Sequence, residues 1–148
     1  MARFSKSFVV GALERIAADK FTPSTLSSTS GDKDREEQEE FMHLGRKAAS
    51  EALLFAVKET KKFSRKVFAE LIQARIDQIQ EEHGFDYGNG YAQVRSRRGD
   101  ERMWRDYGRY YALRMIAEDM DTPVDPRGTG FGPVRINSKV TIYQKLVY

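Results

Sequence analysis

Six arginines crowd the segment 95–109, at Arg95, Arg97, Arg98, Arg102, Arg105 and Arg109. A guanidinium is a planar fork of donors that suits phosphate and carboxylate and stacks on aromatic faces. Arg98, Arg102, Arg105 and Arg109 recur at helical spacing, which gathers them on one side of a helix. Tyr87, Tyr91, Trp104 and Tyr110 lie close by in the chain, as rings on which bases could stack. Asp100, Glu101 and Asp106 interrupt the row, so it suits an acidic protein surface at least as well as nucleic acid. The six arginines are therefore the candidate polyanion or partner contact.

Other constellations fall short of chemistry. Glu40-x-x-His43 has the spacing used in carboxylate-bridged di-metal bundles, but a second such pair is missing, because Gln80 stands three residues before His83. His83 precedes Gly84 at a helix end, where an imidazole can satisfy last-turn carbonyls. The Gly128-Thr-Gly130-Phe-Gly132 run lacks the lysine and hydroxyl residue of a phosphate loop. Glu81/Glu82 and Glu118/Asp119 are adjacent in sequence, so on a helix their side chains diverge. With no cysteine and two histidines, thiolate metal sites, disulfides and cysteine nucleophiles are ruled out. The expectation is a protein that is not an enzyme, with no catalytic residue, cofactor or metal.

These residues need elements to position them. The chain has 148 residues, enough for one domain. Its 25 Lys+Arg against 22 Asp+Glu leave a charge of only +3, but the charge is uneven, with six acids between Asp32 and Glu40 and five bases between Lys58 and Lys66. No apolar run is long enough to cross a bilayer, so no membrane association is expected.

Residues 34–60 read as a long helix, acidic at its start and basic at its end, as the macrodipole favours. Its alanines at 48, 49, 52 and 56 would let another helix approach closely. Residues 65–82 read as a second helix, with Ser64 as N-cap, Phe63 and Phe68 as a hydrophobic staple and Gly84 as a left-handed cap. The short link between the two predicts an antiparallel hairpin. Residues 100–120 form a third helix, opened by Asp100 and Glu101. Between them, Tyr87-Gly-Asn-Gly-Tyr91 and the alternation that follows predict a small β-ribbon over 84–98. Together these give a mainly α fold, a three-helix core around Phe41, Leu44, Leu53, Val57, Phe68, Leu71, Ile72, Ile76, Trp104, Tyr107 and Tyr111.

Two extensions flank that core, which occupies 34–120. Residues 1–33 hold a short amphipathic helix (Phe8, Val9, Ala12, Leu13 and Ile16, capped by Ser5) on a Ser/Thr-rich linker, an arm free to pack on a partner. Residues 121–148 form an extended tail in which Val134, Ile136, Val140, Ile142, Tyr143, Val147 and Tyr148 are strand formers that need an edge to pair with.

A helical body with an amphipathic arm and a strand-prone tail suggests a structural subunit that joins neighbours into an oligomer or a larger particle, such as a virion connector. It would bind other protein subunits through the arm and the tail, in the cytoplasm or on the particle. The alternative is a nucleic-acid-binding accessory protein that uses the arginines of 95–109.

Overall fold

A computed structural model describes residues 4–21 and 33–127, which form five helices and, among the described residues, no strand. They are α1 (Lys6–Ala18), α2 (Lys33–Glu59), α3 (Arg65–His83), α4 (Gly90–Ser96) and α5 (Glu101–Asp119). Local chemistry explains most of the boundaries. Ser5, Ser64 and Asp100 each accept a hydrogen bond from the backbone N–H three residues on, at Phe8, Val67 and Met103. Phe63 and Phe68 pack with ring centroids 5.9 Å apart, which closes the staple at the start of α3. Gly84 ends α3 at φ 63°, a conformation that costs a glycine little.

α2 and α5 run antiparallel and share the most extensive helix–helix contact among the described residues, with α1 laid on α2 and both α3 and α4 on α5. The core is filled by Leu53 and Val57 of α2, Phe68, Ile72 and Ile76 of α3, and Trp104, Tyr107, Tyr110 and Leu113 of α5. Seven residues expected in the core are buried: Leu53, Val57, Phe68, Ile72, Ile76, Trp104 and Tyr107. Phe41 and Leu71 are partly buried against it. Leu44 and Tyr111 are not core residues, being exposed at the surface.

Two expectations about flanking segments need correction. The N-terminal helix does not stand apart, because Val9 and Leu13 are fully buried in this chain's own core. Phe4 stacks on Phe63 at 5.4 Å under the Arg65 guanidinium, and the Lys6 ammonium donates to the Thr60 carbonyl at 2.7 Å. A cation at the end of α2 is favoured by the helix dipole as well as by this bond.

In place of the ribbon expected over 84–98, the chain makes a turn and then the short helix α4. The Asp86 carboxylate accepts from the N–H groups of Gly88 and Asn89, and α4 starts directly after this turn. Gly90 serves close approach here, not a hairpin conformation, since a β-carbon would run into the Tyr107 ring. Gln93 ties the segment down through Asp86 N–H and the Gly84 carbonyl. Val94 is fully buried and Tyr91 packs on Trp104 at 5.0 Å. A lone two-stranded ribbon leaves edge groups unpaired, whereas a helical turn satisfies its own.

The chain also stays on the body after α5. Arg65 donates to the carbonyls of Met120 and Asp121, Gln73 exchanges two hydrogen bonds with the Asp125 backbone, and the Tyr110 hydroxyl donates to Pro126 at 2.9 Å. Thr122 and Val124 are buried, so residues 121–127 belong to the packed body.

Candidate interaction surface

The arginine cluster divides in two. Arg95, Arg97 and Arg98 are exposed on α4 and the turn after it. Arg102, Arg105 and Arg109 line α5, and acids are interleaved with them. Arg102 is paired with Glu82, Arg105 lies 3.8 Å from Glu101, and Arg109 lies 3.1 Å from Asp106.

Asp106 is the hub of this network. Its carboxylate is nearly buried and sits 2.7 Å from His83 Nε2. His83 stacks on the Phe85 ring at 4.8 Å, and this fastens the end of α3 to the middle of α5. His83 thus pairs with a side chain on another helix instead of capping its own, where the Gly84 N–H already meets the Gln80 carbonyl. A search for acids paired along the sequence misses Asp106. Its signal was an acid set among arginines at i−4 and i+3 within an aromatic, buried stripe.

Glu82, His83 and Asp106 bring three potential metal donors within 4.8 Å of one another. Both carboxylates already carry a guanidinium, Arg102 on Glu82 and Arg109 on Asp106. A cation entering here would have to displace those partners and would meet their charge, so the chemistry of this set is that of an ion-paired clasp. His43, of the Glu40-x-x-His43 pair, rests 5.7 Å from the Phe21 ring, in a hollow of about 370 Å³ beside Met42 and Tyr111.

The expected stacking rings are not available to bases. Trp104 and Tyr110 are buried, Tyr91 packs on Trp104, and Tyr87 lies 4.0 Å beneath the Arg114 guanidinium. Burial also raises the Tyr110 hydroxyl above its usual ionisation range, although the nearby Arg114 charge pulls the other way.

Between the α5 arginines and α2 runs a groove of about 570 Å³. One wall carries Arg102, Arg105 and Arg109; the other is apolar, formed by Leu44, Ala48 and Ala52 of α2. The apolar wall continues to Phe55, which is 68% exposed, while Leu44 is 37% exposed. Leu44, Ala48, Ala52 and Phe55 follow i, i+4, i+8 and i+11 spacing, so they form one stripe along the outer face of α2. The alanines at 48 and 52, expected to admit a neighbouring helix in the core, thus face outward. The strand-forming residues Val134, Ile136, Val140, Ile142, Tyr143, Val147 and Tyr148 and the glycine run of 128–132 lie outside the described residues.

The chain matches no family model, no curated protein and no solved structure. Among the described residues no helix is long and apolar enough to cross a membrane.

Proposed function

We propose that this protein is a non-enzymatic assembly subunit that joins protein neighbours. The observation that carries this reading is the outer face of α2, where Leu44 and Phe55 lie exposed in line with Ala48 and Ala52. Isolated apolar residues are ordinary on a surface, but a row of them along a helix is a surface prepared for a partner. The arginine row on the far side of the groove adds charge that fixes a partner's orientation more than its affinity. The C-terminal strand formers, by sequence, offer a second means of attachment through strand addition. The N-terminal helix no longer contributes to this reading, because its apolar side is spent in the core.

Nucleic-acid binding through Arg95, Arg97 and Arg98 is the alternative, supported by their exposure on one turn of the surface. The acids paired with Arg102, Arg105 and Arg109 weigh against a continuous phosphate track.

The test is the size of the protein in its native extract and in concentrated pure solution. An assembly subunit migrates in a species well above its own 17.0 kDa, and Phe55→Glu shifts it toward the monomer. Migration as a 17.0 kDa monomer in both settings overturns the reading. Release of a larger species by nuclease, with steep loss at moderate salt, would favour the nucleic-acid alternative.

A further inference from the structure

We infer that the exposed face of α2 pairs with the same face of a second copy of this chain, antiparallel and about a two-fold axis. The inference rests on the assembly reading and names its partner. It follows from the order of side chains along the outer side of α2.

Projected on a helical wheel at 100° per residue, the apolar stripe of Leu44, Ala48, Ala52 and Phe55 is bordered on one edge by the exposed residues Glu40, Lys47, Glu51 and Lys58. On the other edge runs the groove and its arginines. An antiparallel copy that sets Leu44 against Phe55 of the second copy brings the rest into matching register. Ala48 then meets Ala52 of the second copy, Lys47 meets Glu51, and Glu40 meets Lys58. Both charged pairings along that edge are between opposite signs, and two-fold symmetry makes each one twice.

A two-fold axis normal to both helices keeps each edge of the stripe on its own side. The charged edge of one copy therefore faces the charged edge of the other. Parallel pairing about a two-fold along the helices would instead turn the charged edge of one copy toward the groove edge of the other, and the Lys47–Glu51 and Glu40–Lys58 pairings would not form. The two alanines at the centre let the axes approach to the short end of helix packing distances, about 8 Å. The larger Leu44 and Phe55 then close both ends of the seam. One helix face is small for a stable interface, so association is concentration-dependent.

The chain has no cysteine, so introduced thiols report geometry directly. In the proposed register, Cys at 44 of one copy lies beside Cys at 55 of the other, while two copies of the same position lie about 16 Å apart, eleven residues at 1.5 Å each. A disulfide needs α-carbons within about 7 Å. Mixing Leu44→Cys with Phe55→Cys under mild oxidation is therefore expected to give the mixed dimer, with each variant alone giving little.

The second measurement uses sites exposed enough to leave folding intact. Glu40→Lys and Lys58→Glu should each weaken dimerisation by about fivefold or more, in line with weak exposed pairs made twice. The combined variant should restore it. A monomer at all concentrations overturns the inference, as does equal cross-linking of Leu44→Cys with itself. Additive weakening in the combined variant overturns it too. If these fail while the protein still migrates in a large species from native extract, the assembly reading stands and the second-copy pairing falls.

Discussion

Gly45 and Gly108 sit at the crossing of α2 and α5, each pressed against the other helix's backbone. A β-carbon at Gly45 would overlap the carbonyl oxygen of Arg105, and one at Gly108 would overlap that of Met42. The two helices that carry the groove are therefore spaced by backbone contact, and the positions of the arginine row and of the apolar stripe both follow from that spacing.

Gly45→Ala and Gly108→Ala should each destabilise the protein by about 1–3 kcal/mol, the usual cost of overpacking, because the clashing atoms are backbone and cannot rotate away. Gly11→Ala provides the contrast. A β-carbon there meets only the Arg15 guanidinium at an ordinary 3.6 Å, and removing a glycine from a helix interior should stabilise by about 0.5–1 kcal/mol. Denaturant unfolding of the three variants checks both signs.

Asp106→Ala should cost about 3 kcal/mol, since it strands His83 and Arg109 beside a nearly buried gap. Arg105→Ala removes one partner of an exposed pair 3.8 Å long and should change stability by less than about 0.5 kcal/mol. If the two variants had equal effects on thermal unfolding, Asp106 would not be the hub of the network.

Leu13→Ala should destabilise by about 2–5 kcal/mol, the range for a fully buried leucine. A helix that packed only on partners would show no such loss in the isolated, dilute protein. The measurement is the denaturation midpoint at low protein concentration.

The alkaline limit of stability should be set in part by Tyr107 and Tyr110. Burial raises both hydroxyls above the ordinary tyrosine value near 10, so the folded state holds these protons after the unfolded chain has released them. Stability from this source is complete below that ordinary value and declines as pH rises beyond it. Absorbance titration at 295 nm should show Tyr107 and Tyr110 ionising later than in the unfolded chain, together with unfolding. Tyr110→Phe should remove one of them at a cost of about 1 kcal/mol for the lost bond to Pro126.

What the amino-acid order determined by itself was local. The caps at Ser5, Ser64 and Asp100, the Phe63–Phe68 staple and the left-handed Gly84 all have both partners within one or two turns of chain, so their hydrogen bonds and contacts need no distant element. The extent of α2, α3 and α5 follows from those signals and from the 3.6-residue apolar period. Tertiary structure decided everything in which two faces competed. α2 is apolar around much of its circumference, and its packing against α5, with backbone contact at Gly45, and against α1 puts Ala49, Leu53 and Val57 in the core and leaves Leu44 and Phe55 at the surface. The asparagine–glycine signal at 89–90 fits a hairpin as well as a helix start, and the Tyr107 ring against Gly90 settled it. His83 and Asp106 lie 23 residues apart, so neither residue's neighbours announce the other. Short-range bonds are written into consecutive residues, whereas which side of a helix is covered depends on the free energy of packing against elements far along the chain.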